Sequence, residues 1–277
     1  MKRVLISADM EGATGTVLPT DVAAGTPEYQ RFRRLLTGDV NAAVAGFADA
    51  GADEVIVNDA HCGMNNVLIE ELDPRALLIT GRHKPLGMMQ GLEDGVDAVA
   101  FVGYHTGAGE QGVLAHTYLS HSILGVRIDG RPADEGTLNA LVAAEAGIPV
   151  VLVTGDDATC HQAAAYAPGC RTVAVKRAIS RHAAVCRTPA ATSAEIRREA
   201  AAALGAPPPR PAAEAAGHVV EIDLDSPHQA ERACSLPGVT ASGPRRVRLE
   251  SPDAREALRR FRALTWVIGG GREGDWT

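Results

Sequence analysis

Residues 3–12 read RVLISADMEG: the aliphatic residues Val4, Leu5 and Ile6 run into Asp9, Glu11 and Gly12. An apolar run without alternation is the mark of a strand covered on both faces, as in a parallel sheet. Acids placed directly after such a strand fall on the rim where open α/β sheets bind ligands. Working outward, Thr26 suits a helix cap and Pro27 its first turn. Phe32, Leu35, Leu36, Val40, Val44 and Phe47 then recur at helical spacing until Gly51 stops them. A second apolar run, Glu54–Asn58, follows at once, and Ala76–Thr80, Ala98–Gly103 and Val150–Thr154 repeat the theme. Short apolar runs alternating with amphipathic segments predict an α/β fold, a mostly parallel sheet flanked by helices in a Rossmann-like three-layer arrangement.

The stretch His116–Ile128 breaks the alternation and reads as extended chain, closed by the turn dipeptide Asp129-Gly130. A helix is predicted from about Asp134 to Ala146, its acids placed where the helix dipole favours them, and another over Ser193–Leu204. Four prolines between Gly205 and Gly217 read as a stiff linker. Beyond them, His218–Leu224, a helix near Pro227–Cys234, Arg245–Glu250 and a helix from Asp253 to about Val267 suggest a smaller C-terminal α+β unit. The expected organisation is a catalytic α/β domain over 1–205, a linker over 206–217 and the α+β unit over 218–277.

The 277 residues suffice for one large domain or two small ones at roughly 150 residues each. A hydrophobic fraction of 45% over that length buries a real core. With a net charge of −7 and 4% aromatic residues, the chain lacks both the basic footprint and the stacking platforms of a nucleic-acid binder. Its five scattered cysteines form no C-x-x-C pair, which argues against a disulfide framework or a four-cysteine zinc site. No run approaches the length of a membrane span, and Asp9 and Glu11 cut the first apolar stretch short of a signal sequence. The default expectation is a reduced, cytoplasmic protein with no membrane or nucleic-acid partner.

Chemistry concentrates at strand ends. The first run ends in Asp9-Met10-Glu11-Gly12, the second in Asn58-Asp59-Ala60-His61, and the fourth in Gly103-Tyr104-His105. Three strands thus aim metal-ligand side chains at one crevice, and Glu135 and His116 are positioned to join them. Mixed carboxylate and imidazole donors suit zinc, manganese or cobalt better than magnesium. Five candidates exceed the needs of one tetrahedral ion, whereas two ions bridged by a carboxylate use all five. Such a pair lowers the pKa of a trapped water and polarises a carbonyl, the chemistry of amide hydrolysis. His116 is left for proton transfer or transition-state stabilisation.

Each residue also has a plainer reading. A single histidine is more often a surface or hydrogen-bonded group than a ligand, and His83, His161, His182, His218 and His228 are left in that class. Asp9 and Glu11 alone could be solvated loop acids, Asp59 a turn cap or a group orienting a ligand, and Glu135 and Asp134 first-turn acids. The coincidence of three strand ends outweighs these readings. Gly12-Ala13-Thr14-Gly15 lacks the dinucleotide and P-loop signatures, and no G-x-S-x-G elbow is present. Gly103 and residues 107–112 read as close backbone approaches or a mobile flap.

Taken in order, Asp9-Met10-Glu11-Gly12, Asn58-Asp59-Ala60-His61, Gly103-Tyr104-His105, Gly112-Val113 with His116, and Glu135 with Leu138-Asn139-Ala140 resemble the bacterial D-aminopeptidases of the DppA type, peptidase family M55. The resemblance extends through Gly155-Asp156-Asp157 and Val175–Arg181 and fades after the prolines. It implies a two-zinc aminopeptidase in which Asp9 bridges the ions, Glu11 and His61 complete one site, and His105 and Glu135 complete the other. His116 falls where the family has its active-site histidine, as nucleophile, general base or electrostatic stabiliser. The implied reaction is attack of a metal-bridged hydroxide on the carbonyl of an N-terminal D-amino acid in a short peptide or amino-acid amide. The implied assembly is a homo-oligomer, a decamer in the family. Asp134 stands where the family pattern has glycine, and Cys62-Gly63 departs from it too, which leaves hydrolysis of another, non-peptide amide as an alternative. A magnesium-dependent phosphohydrolase, suggested by Asp9-x-Glu11 with Asp156-Asp157, is the rival chemistry; it has no use for strand-end histidines.

Overall fold

A computed structural model describes residues 2–211 and 216–270; parts of the expected linker and C-terminal unit, 212–215 and 271–277, lie outside the described residues. The chain begins with β1 (Arg3–Ala8), a short helical turn α1 (Pro19–Val22), the long helix α2 (Pro27–Asp49), β2 (Glu54–Asp59), β3 (Ala76–Ile79) and β4 (Ala98–Val102). The hairpin β5 (Ile123–Ile128) and β6 (Arg131–Pro132) precedes α3 (Glu135–Glu145), β7 (Val150–Asp156), α4 (Asp157–Tyr166), β8 (Arg171–Ser180), β9 (Ala183–Cys186) and α5 (Pro189–Gly205). Last come β10 (His218–Leu224), α6 (Pro227–Ala233), β11 (Val239–Gly243), β12 (Arg246–Ser251) and α7 (Ala254–Gly269).

Seven strands form one sheet in the order β3-β2-β1-β4-β7-β8-β9. All neighbours run parallel except β8 and β9. The predicted α/β class, mostly parallel and helix-flanked, is the observed one. Strand β1 lies centrally because both of its faces are buried: Val4 and Ile6 pack under α2 and α5, and Leu5 faces the opposite core. Thr26 caps α2 as its sequence suggests, accepting from the Tyr29 amide, and Gly51 adopts the left-handed φ of 82° past its end. The second core, which holds Leu5, Phe101 and Leu138, also contains Ile222 and Phe261 from β10 and α7.

A second, antiparallel sheet runs β11-β12-β10-β5-β6, so it draws β5 and β6 from the middle of the chain. Asp129 and Gly130, both at positive φ, make the tight turn between those two strands. The extended reading of His116–Ile128 holds only from Ile123. The earlier part coils instead, with Tyr118 at φ 56° and Leu119 and Ser122 closing local turns. Strands β8, β9 and β11 and helix α4 escaped the sequence reading: Lys176 and Arg177 interrupt the apolar pattern of β8, while β9 and β11 are short and rich in small residues.

Candidate metal centre

Ala8 pairs with Asp59 on one side and Val102 on the other, so β1, β2 and β4 end level. Asp9 and Glu11 leave β1 on that rim, His61 follows β2, and His105 follows β4. Glu135 opens α3, capped by Asp134, whose Oδ1 accepts from the Thr137 amide and hydroxyl. Asp134, expected within the first turn, is the cap itself. His116 arrives on the coil between β4 and β5. All six side chains line one cavity of about 460 Å³.

The loops that carry these residues interlock. The Gly12 amide donates to Gly103 O, and that of Asp9 to Val102 O. A Cβ on Gly12 would lie 1.8 Å from Tyr104 O, and one on Gly103, already at φ +74°, 2.1 Å from Asp9 O. The close-approach reading of Gly103 is therefore the one observed. Gly103→Ala adds left-handed strain to a backbone clash and is expected to cost about 2–5 kcal/mol in urea unfolding; a loss below about 1 kcal/mol would mean the loops part easily. Residues 112–116 are tied down, with Val113 N donating to Asp156 Oδ2, Leu114 N to Arg181 O and His116 N to Thr106 O. Lys176 reaches from β8 to donate to the carbonyls of Glu11, Ala13 and Thr16, and burial pushes its ammonium down to about 8. Asp59 is the turn cap of its two readings. It accepts from the Asn66 and Val67 amides, and Asn66 Nδ2 passes the constraint on to His61 O.

Asp9 sits between two donor groups. Its Oδ1 is 3.4 Å from His61 Nδ1, which is itself 2.9 Å from Glu11 Oε2. Its Oδ2 is 3.3 Å from His105 Nε2, which is 3.7 Å from Glu135 Oε1. Two donor triads thus share Asp9: Asp9, Glu11 and His61, and Asp9, His105 and Glu135. A third grouping joins Glu11, His105 and His116. His116 stacks flat on His105, with centroids 4.3 Å apart, and its Nε2 lies 3.8 Å from Glu11 Oε1.

Each imidazole spends its other nitrogen on a backbone carbonyl: His61 Nε2 on Val22 O of α1, His105 Nδ1 on Thr106 O, and His116 Nδ1 on Leu114 O. A carbonyl only accepts, so those nitrogens carry the hydrogen and the neutral ring turns a lone pair toward the carboxylates. The cluster is electrostatically tense without a cation. Burial works against ionisation of Asp9 and Glu11, yet the neighbouring imidazoles outweigh it and hold both carboxyls below their ordinary range. Burial, reinforced by Asp9, pushes Glu135 up to about 8 despite His105 beside it. Burial opposes protonation of His61 and His105 as well, but the surrounding carboxylates raise both, His105 to about 10. His116 alone is pushed down, to about 4, by burial and by His105.

The family model described as peptidase M55, D-aminopeptidase, matches residues 1–263. The chain belongs to the M55 D-aminopeptidase family, a family of hydrolases. It is 36% identical over 275 residues to the D-aminopeptidase of Bacillus subtilis (strain 168), covering 95% of this chain and 96% of that one. A solved structure, described as the Zn-dependent D-aminopeptidase DppA from Bacillus subtilis, a self-compartmentalizing protease, superposes with a TM-score of 0.93. The two are 34% identical, and the match covers 98% of this chain and 99% of that one.

The structure brings all five expected ligands and His116 to one cavity, but the sequence reading missed the supports. Lys176 has no local signal, and neither has Arg262 on α7, which reaches the same cavity. Asp156, a feature of the phosphohydrolase rival, is fully engaged. Its Oδ1 accepts from the Thr159 amide and hydroxyl as the cap of α4, and its Oδ2 from Val113. The Asp157 carboxylate accepts from the Ala178 amide. Asp156, with both oxygens engaged, is not spare for a magnesium ion.

Proposed function

We propose that this chain is a dinuclear zinc-dependent aminopeptidase that removes N-terminal D-amino acids from short peptides or amino-acid amides. The observation that carries the reading is the pair of donor triads meeting at Asp9. The residues fit zinc on independent grounds. Asp9 Oδ2 and Glu11 Oε2 are buried and accept no hydrogen bond, a cost that a cation removes. Three imidazoles each turn one ring nitrogen toward the carboxylates, and the nitrogen and oxygen donor set suits zinc, with manganese or cobalt as substitutes.

Asp9 would bridge the ions, with Glu11 and His61 completing one site and His105 and Glu135 the other. When bound, zinc supplies Lewis-acid polarisation of the scissile carbonyl and acidifies a water within reach of it. His116, its Nδ1 anchored on Leu114, holds Nε2 free at the cavity to take a proton from the attacking water and return it to the leaving amine. Tyr118 contributes its backbone, donating to Glu135 Oε1 at 2.7 Å and fixing that carboxylate. A cavity of about 460 Å³ suits a ligand of a few residues. The relative's description as self-compartmentalizing supports a homo-oligomer, of decameric size by the family resemblance. No described helix is long and apolar enough to cross a membrane, and we assign the chain to the cytoplasm.

The test combines metal analysis with a stereochemical panel of D- and L-amino-acid dipeptides and amides. About two zinc ions per chain, D preference, loss of turnover on chelation and its return with zinc are expected. Stoichiometric magnesium without zinc, manganese or cobalt sinks the metal assignment, and preference for L substrates or for a non-peptide amide sinks the substrate assignment.

A further inference from the structure

One wall of the cavity carries cations with no anion to meet them. Arg262, on α7, is only 6% exposed. Its Nη1 donates to Lys84 O at 2.6 Å and Pro85 O at 3.0 Å, and its guanidinium lies over the Trp266 ring at 5.4 Å. Among the described residues no carboxylate pairs with it, although buried charges are ordinarily paired. Arg82 stands exposed at the rim of the same cavity, its Nε bonded to Cys62 O at 2.7 Å, likewise without an acidic partner among the described residues. The two guanidiniums are close enough for Arg82 to help burial lower the Arg262 pKa.

Tyr118 gives the scale. Its amide bonds Glu135 of the metal cluster, while its ring meets Phe261, the residue before Arg262, edge-on at 5.2 Å. One tyrosine therefore spans from the cluster to the neighbour of the buried guanidinium, and both ends line the same cavity of about 460 Å³, the size for a ligand of a few residues. Arg262 uses only one of its terminal nitrogens on carbonyls, so donors remain for a planar, bidentate anion.

We propose that Arg262, assisted by Arg82, is a carboxylate-recognition subsite that anchors the free C-terminus of a short peptide whose N-terminal residue lies at the metal cluster. The proposal rests on the aminopeptidase reading above. It makes the protein selective for small free peptides over amides and long chains, because both ends of the substrate are read at once.

The test measures binding by calorimetry in a zinc-loaded His116→Ala background, so that it does not depend on turnover. D-alanyl-glycine, its C-terminal amide, and D-alanyl-D-glutamate α-amide are the probes. The free acid is expected to bind about ten- to hundred-fold more tightly than its amide. The ratio should fall toward one in Arg262→Leu and be partly kept in Arg262→Lys. Should Arg262→Leu fail to fold for loss of its bonds to Lys84 and Pro85, Arg82→Gln decides, with an expected drop of about threefold in the ratio. A ratio near one in the parent, a ratio indifferent to these substitutions, or no binding at all overturns the subsite. Tighter binding of the glutamate α-amide than of the free dipeptide overturns the C-terminal assignment in favour of an acidic side chain. Hydrolysis by the unsubstituted enzyme is scored separately: its absence sinks the aminopeptidase reading while the binding ratio still reports on Arg262.

Discussion

Asp9→Ala is expected to empty both metal sites at once and reduce peptide hydrolysis to background. Asp9 is the one residue shared by the Glu11–His61 and His105–Glu135 triads, so its loss removes a donor from each. Without it each site is left with two protein ligands, fewer than the three that catalytic zinc ordinarily keeps. Substituting His61 instead should weaken one site while the other keeps both of its carboxylates, Asp9 and Glu135, and its imidazole. Metal content by mass spectrometry, alongside circular dichroism to confirm folding, reads the difference. Retention of two ions per chain in Asp9→Ala would falsify the bridging role.

His116→Ala should do the reverse: metal content stays at two ions while kcat falls by about 10²–10⁴-fold, the range for removing a positioned acid–base group. The prediction discriminates because His116 also belongs to a donor grouping with Glu11 and His105. Loss of an ion in His116→Ala would make His116 a ligand, and full turnover would leave it no role in the chemistry. His116 is not needed to hold the loop it sits on. Its amide bond to Thr106 O and the neighbouring Leu114 bond to Arg181 O are backbone contacts that alanine keeps.

The candidate centre was legible because its expected ligands sit directly after strands that announce themselves. Val4, Leu5 and Ile6 before Asp9, Val55, Ile56 and Val57 before His61, and Ala98–Val102 before His105 are the short unbroken apolar runs of doubly covered parallel strands, and such strands share a rim. Glu135 was legible through its helix, whose acidic start locates it within a residue. The coil around His116 was not. Tyr118 and Leu114 adopt left-handed backbone that non-glycine residues rarely take, and no local propensity announces that choice. Lys176 and Arg262 were hidden for another reason. A lysine in a strand and an arginine among Arg255, Arg259 and Arg260 on an amphipathic helix read as solvated charges. Only tertiary packing, which buries Lys176 under the β1 loop and Arg262 beneath Trp266, singles them out.

The cavity is assembled from two distant parts of the gene. Its reactive floor is written in the first half of the chain, at the tips of β1, β2 and β4, while α7 near the far end supplies Arg262, Thr265 and Trp266 to the opposite side. Substitutions at Arg262, Thr265 or Trp266 therefore change that side of the cavity while the six side chains of the cluster keep their identities.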